Sequence, residues 1–249
     1  MIAQNIKELM RLLFVRHGQS ENNALWARTQ SNIDRVSDPP LTPVGKLQIE
    51  ATAQFLKTNL NSNSYENADP LLASENSEIH IYCSLMERAI QSGLIIAKAL
   101  SLPLFAHLDI HENGGLYLED HLTSERLGEP GRGQDEFKNA YPELILPEEM
   151  PFSGWWNRPY EERETRRIRA RKVIEDLKTR FGSSNSTVII ISHGGFYNYL
   201  LRALLALKDD TEAWFDFYNG ALTVLEFTSE YLHIACSNRF DFIPENLVT

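Results

Sequence analysis

The chain has little cysteine, a deficit of positive charge and no long apolar run. Only Cys83 and Cys236 occur in 249 residues, far apart, which excludes a disulfide framework and a thiolate zinc cluster and suits a reducing compartment. Lys and Arg number 24 against 34 for Asp and Glu, a formal net charge of −10. Nucleic-acid and anionic-membrane binders need a positive face, so neither partner is expected. Positive charge meant for an anionic ligand must then be concentrated in a pocket. No stretch approaches the ~18 apolar residues of a membrane span. Met1 to Met10 carries Lys7 and Glu8 without a long apolar run, so no signal peptide is expected. With 43% hydrophobic residues, no internal repeat and no linker, residues 1–249 read as a single cytoplasmic domain.

Three short, continuously apolar runs have the pattern of parallel strands covered on both faces: Leu12-Leu13-Phe14-Val15, Ile79-His80-Ile81-Tyr82-Cys83 and Val188-Ile189-Ile190-Ile191. A helical pattern follows each. Thr42 is placed as an N-cap with Pro43 in the first turn, and Val44, Leu47, Ala51 and Phe55 form the apolar stripe after it. Met86, Ile90, Gly93, Ala97 and Leu100 share a face after the second run. Tyr197, Leu200, Leu201, Leu204 and Leu205 do so after the third. Ala221–Phe227 and Tyr231–Cys236 read as a closing hairpin around Ser229-Glu230. The alternation predicts a three-layer α/β/α fold: a mostly parallel central sheet with helices on both faces and an inserted lid subdomain.

Two segments break the rhythm. Residues 59–78 hold five Asn and four Ser and are expected to be a flexible surface loop. Residues 113–160 are rich in Gly, Pro and aromatics without periodicity, the mark of a functional lid. After the lid, Ala170, Val173, Ile174, Leu177 and Phe181 mark the inner face of a helix. Its Arg166, Arg167, Arg169 and Arg171 read as a solvated face balanced by Glu161, Glu162 and Glu164.

Ligands of open parallel sheets bind beyond the carboxyl ends of the strands. There the sequence places Arg16-His17-Gly18-Gln19-Ser20 after the first run, Ser84 through Arg88 after the second and Ser192-His193-Gly194-Gly195 after the third. Arginines match phosphate oxygens with forked donors. The Gly194-Gly195 turn opens a helix whose N–H groups favour an anion, and histidine serves as nucleophile or proton carrier near neutral pH. Position and chemistry predict a phosphate pocket with a nucleophilic imidazole.

These blocks resemble the histidine phosphatase superfamily, with its phosphoglycerate mutase-like fold. Arg16 to Asn23 is similar to its Arg-His-Gly signature, Leu41 to Gln48 to the next block, Ser84 to Gln91 to the second arginine segment, and Ser192 to Gly195 to the second histidine. The order is the family's, across residues 11–205. The resemblance implies that His17 attacks phosphorus to form a phosphohistidine. Arg16, Arg88, Asn23 and a protonated His193 would hold the phosphoryl oxygens without a metal or other cofactor. Gly18 would let the backbone approach closely, and Gln19, Ser20 and Gly194 would line the substrate pocket. The general acid would follow Leu102–Ile110. Glu112 matches best, with Glu87, Asp109 and Glu119 as rivals.

Several residues keep two readings. His107 and His111 stand four apart, which suits a metal site on a helix but not in a strand-like segment; His111 is counted within reach of substrate. Trp155, Trp156 and Arg158 read either as an aromatic wall with a second anion contact or as packing that pins the lid. Arg126, Arg132 and Arg158 are candidates for a second acidic group. The leading activity is hydrolysis of a small phosphorylated metabolite. A phosphoglycerate-type mutase is disfavoured because Glu112 lacks the arginine-tyrosine-glycine run that the resemblance would require. A weakly catalytic phosphoprotein-binding module is the third reading, and a homodimer through a sheet edge or helix face stays open.

Overall fold

The structure is a computed structural model that describes residues 10–60, 69–72, 77–151 and 153–249. In chain order the elements are β1 (Met10–Arg16), α1 (Glu21–Thr29), α2 (Pro43–Leu60), β2 (Glu78–Ser84), α3 (Glu87–Leu100) and β3 (Leu104–His107). They continue with β4 (Tyr117–Glu119), β5 (Arg126–Gly128), α4 (Gln134–Ala140), β6 (Leu144–Ile145), α5 (Arg163–Phe181), β7 (Ser186–Ser192), α6 (Gly194–Leu204), β8 (Leu222–Phe227) and β9 (Leu232–Arg239). The main sheet has seven strands in the order β6-β3-β2-β7-β1-β8-β9. β1, β2, β3, β6 and β7 run parallel, and β8 and β9 close one edge antiparallel.

Strand periodicity divides the interior in two. Leu13 and Val15 of β1, Ile81 and Cys83 of β2, and Ile189 and Ile191 of β7 pack with α2 and α3. Leu12, Phe14, Tyr82, Val188 and Ile190 point the other way, toward α5 and α6. The central residues of β1 and β7 are apolar at successive positions because both faces are covered. Each parallel strand therefore ends at the same rim.

Three expectations change. The inward face of α2 is not the Val44–Leu47–Ala51–Phe55 stripe: Gly45, Gln48, Ile49, Thr52, Ala53 and Leu56 are buried, while Leu47 is 48% exposed. Gln48 and Thr52 are inside because their polar atoms bond the neighbouring loops, which apolar periodicity does not register. Segment 113–160 is not structureless: β4 and β5 form a hairpin, and β6 extends the main sheet beside β3. Arg169 is buried rather than solvated. Of the polar stretch 59–78, residues 61–68 and 73–76 lie outside the described residues.

Candidate active site

The rim gathers side chains from four strand ends. β1 delivers Arg16 and His17, and hydrogen bonds from His17 N to Ser192 O (3.0 Å) and from Gly220 N to Arg16 O (3.1 Å) lock the exit of that strand. The Gly18 N–H donates to Ser92 Oγ at 3.2 Å. A β-carbon on Gly18 would stand 2.2 Å from the carbonyl oxygen of Gly45 on α2. The close approach that glycine permits here is to that helix, not to a ligand.

His17 is buried, and its tautomer follows from its neighbours. Nδ1 lies 2.7 Å from the Gly18 carbonyl oxygen. A carbonyl only accepts, so Nδ1 carries the hydrogen and Nε2 keeps its lone pair. Arg88 Nε, from α3, donates to that lone pair at 3.2 Å. Burial, then the charges of Arg88 and Arg16, hold the imidazole well below the ordinary histidine range, so it is neutral at neutral pH. The His193 ring is centred 5.0 Å from that of His17. Its Nε2 meets Ser84 Oγ at 2.9 Å, and its Nδ1 is buried without a partner. Burial and Arg88 also hold His193 far below its ordinary range. The protonated His193 expected from the sequence is thus corrected to a neutral ring.

Burial lowers the Arg16 guanidinium to about 10, still charged at neutral pH. One Nη donates to the Phe217 carbonyl, and Nε is buried and unpartnered. Glu112 sits across the opening, where the helix start expected to hold an anion is occupied by its carboxylate. Oε1 accepts from Asn113 N (2.7 Å) and Phe196 N (3.0 Å), and Oε2 from Gly195 N (3.2 Å). The formal N-cap of α6, His193, makes no side-chain cap bond. Glu112 does that work from a distance of about eighty residues in sequence. Three of the four lone-pair positions of the carboxylate are filled, leaving one on Oε2.

The other named residues divide. Asn23 faces the loop that follows β1: its Oδ1 accepts from Ser20 N and Asn219 Nδ2, and its NH2 group has no acceptor among the described residues. Gly194 lines the same cavity as Arg16 and Glu112. Ser20 is the N-cap of α1. The Gln19 side chain is held by Thr42 Oγ1 at 2.8 Å, so both brace the loop rather than face a ligand. His111 is fully buried against Trp155 and Trp156, with Nδ1 on the Glu112 carbonyl; it supports the Glu112 segment from behind. Trp156 is 1% exposed, which selects packing over an aromatic wall. Arg158 stacks over Trp156 at 4.2 Å and borders a different cavity of about 710 Å³. Among the described residues, no three His, Cys, Asp or Glu side chains are grouped to hold a metal ion.

Sequence reasoning missed Asp38, Arg35 and Asn219. Asp38 Oδ1 accepts from Glu87 N at 2.8 Å and stands 3.8 Å from Arg88 Nη1. Asn219 Nδ2 donates to the His17 carbonyl at 3.0 Å. The Asn219-Gly220 pair is a turn signal that could have flagged the latter. Asp38 and Arg35 lie in an aperiodic loop that offers none.

The sequence profile of the histidine phosphatase superfamily (branch 1) matches residues 12–239. The chain belongs to this superfamily. It is 27% identical over 198 residues to a protein of Schizosaccharomyces pombe (strain 972 / ATCC 24843) named as a probable phosphatase, covering 78% of this chain and 56% of that one. The chain thus spans little more than half the length of that relative. Solved structures of the same fold include a mutant phosphoserine phosphatase of Entamoeba histolytica in complex with phosphoserine. That match has a TM-score of 0.59 at 19% identity, over 94% of this chain and 100% of that one. A mycobacterial glucosyl-3-phosphoglycerate phosphatase matches at a TM-score of 0.56 and 16% identity, over 92% and 99%. No helix among the described residues is long and apolar enough to cross a membrane.

Proposed function

We propose that this protein hydrolyses small phosphomonoesters through a phosphohistidine on His17, with Glu112 as proton donor and segment 113–160 as the lid over the site. The observation that carries the reading is the fixed His17 tautomer. A neutral ring has its proton pinned on Nδ1 and its Nε2 lone pair faces Arg88. When a phosphoryl group enters, Arg88 turns its donors to the phosphoryl oxygens and frees that lone pair. Glu112 takes the proton of the incoming phosphomonoester monoanion at the one open position on Oε2; Nε2 then attacks phosphorus, the ester P–O bond breaks, and Glu112 passes that proton to the leaving alkoxide. In the second half, Glu112 takes a proton from water, the hydroxide attacks phosphorus, and the N–P bond breaks to release inorganic phosphate and restore the imidazole. Arg16, Arg88, the His193 Nδ1–H and the Asn23 amide bind the non-bridging oxygens and offset the charge of transfer. Because the two guanidiniums supply the positive field, the reading asks for no metal ion.

Hydrolysis of a chromogenic aryl phosphate by wild type and His17→Ala tests it. The variant is expected to lose at least about a thousand-fold in kcat, and equal rates would end the nucleophile assignment. Incubation with 3-phosphoglycerate is expected to release phosphate. Conversion to 2-phosphoglycerate without free phosphate would turn the reading to a mutase.

A further inference from the structure

We propose that Arg35 holds a second anionic group of the substrate, so that the preferred substrates are phosphomonoesters bearing another carboxylate or phosphate. The proposal rests on the phosphatase reading above and names the substrate class for the same site.

A cavity of about 680 Å³ opens from Arg16 and Glu112 and is bordered on its outer side by Arg35, Tyr117, Tyr160 and Trp214. That is many times the share of liquid volume that one water takes, about 30 Å³, so the space beside Arg16 and Glu112 accommodates far more than a phosphoryl group. Arg35 comes from the loop between α1 and α2. Its Nη1 donates to the Tyr117 hydroxyl at 3.1 Å, and its guanidinium lies 4.8 Å from the Tyr117 ring centre. Those contacts hold the side chain in one place. Nε is buried without a partner, and among the described residues no carboxylate approaches the group. The guanidinium is thus pre-oriented with Nη2 unpartnered beside the buried, unpartnered Nε, so it keeps unspent donors for a carboxylate or phosphate.

The other cations expected to serve this purpose are already neutralised or elsewhere. Arg126 pairs with Glu119 at 3.0 Å and Arg132 with Glu87 at 2.5 Å, and Arg158 borders the other cavity. Arg35 is close enough to Arg88 that its charge opposes protonation there, which places it beside the phosphoryl site without being part of it. In a chain of net charge −10, an arginine held by a tyrosine in a cavity that Glu112 and Asp216 also line, yet in ion-pair contact with neither, is unexplained by packing. A guanidinium partly withdrawn from water without a counter-charge is costly, and the second charge of a substrate would remove that cost.

The test compares kcat/KM for glycerol phosphate, which has one anionic group, with 3-phosphoglycerate, which adds a carboxylate, and fructose 1,6-bisphosphate, which adds a phosphate. Wild type is expected to favour at least one two-anion substrate over glycerol phosphate, and which one identifies the second group. In Arg35→Met that preference should fall about ten- to a hundred-fold, the range of a lost charge-assisted hydrogen bond, through KM rather than kcat. Arg35→Lys should restore part of it, since the charge remains and the fork is lost. Hydrolysis by wild type with no preference for a second charge, or a preference that survives in Arg35→Met, overturns the inference and leaves the phosphatase reading standing. Absence of hydrolysis on every substrate, aryl phosphate included, sinks the phosphatase reading and this inference with it.

Discussion

Asp38 stands where two demands on Arg88 meet. Arg88 must be held still to donate to His17, and it must keep its charge although burial lowers its basicity. Asp38 supplies a carboxylate 3.8 Å away and is itself fixed by the Glu87 amide. Burial outweighs these partners and pushes its own carboxyl up to about 6. Because the folded value lies above the unfolded one, the fold prefers the neutral acid. The stabilisation is complete below about pH 4 and is lost as pH rises through about 6. An amide cannot titrate, so Asp38→Asn should remove this dependence. The stability of wild type relative to Asp38→Asn, measured by urea unfolding, is expected to decline between pH 4 and pH 7. A constant difference would show that Asp38 ionises freely in the folded protein. The ion pair with Arg88 forms over the same interval, so acquiring this contact costs stability. Nothing in the sequence marks Asp38, since its importance arises from a residue fifty positions away.

At the scale of elements, the buried pair of Arg169 on α5 and Glu161 just before that helix governs how the Glu112 segment is held. Arg169 makes a two-pronged contact with Glu161, 2.7 Å on each side, and its remaining nitrogen donates to the carbonyls of Asp109 and His111. Glu161 N in turn bonds Gly114 O. The chain is thus anchored before Glu112 by the Arg169 guanidinium and after it by the Glu161 amide. Removing one member of a buried pair leaves the other charged and unpaired, at about 3–5 kcal/mol. Glu161→Gln is expected to lose stability in that range by urea unfolding and to lower kcat as Glu112 drifts. Joining it with Arg169→Met should recover part of the stability but not the activity. A stability loss under about 1 kcal/mol would mean that the pair is solvated after all. The helix itself was legible from Ala170, Val173, Leu177 and Phe181, all buried. The pair was not, because five arginines and three glutamates between residues 161 and 171 read alike whether they face water or each other. The stripe on α2 failed for a related reason: Gln48 is wholly buried to hold the Gln19 amide and Leu247 carbonyl, and periodicity counts only apolar residues.

For the molecule as a whole, the strand runs, their shared rim and the placement of Arg16, His17, Arg88 and His193 could be read in advance. Doubly covered parallel strands are apolar throughout, and their exits fall on one edge. Occupancy of that edge could not be read: the acceptor at the start of α6 is the protein's own Glu112, and the histidines beside it are neutral. His17, His111 and His193 are all buried and all held well below their ordinary range, by burial first and neighbouring arginines second. This gives the whole fold a pH response. Unfolding returns each ring to a value near 6.5, so below that pH the unfolded chain binds up to three protons that the folded chain refuses. Stability conferred by the neutral rings is present above about pH 6.5 and falls with decreasing pH, with a limiting slope on the order of 4 kcal/mol per pH unit for three such protons. Asp38 opposes this by one proton in the same interval, and the histidines outnumber it. Unfolding free energies measured by urea from pH 7.5 to pH 5 should therefore fall steeply. His111→Gln, which replaces a ring outside the proposed chemistry, should reduce the slope by about one proton, roughly 1.4 kcal/mol per pH unit. A flat profile would mean that these imidazoles titrate in the folded protein as freely as in water, and the neutral nucleophile drawn for His17 would lose its physical basis.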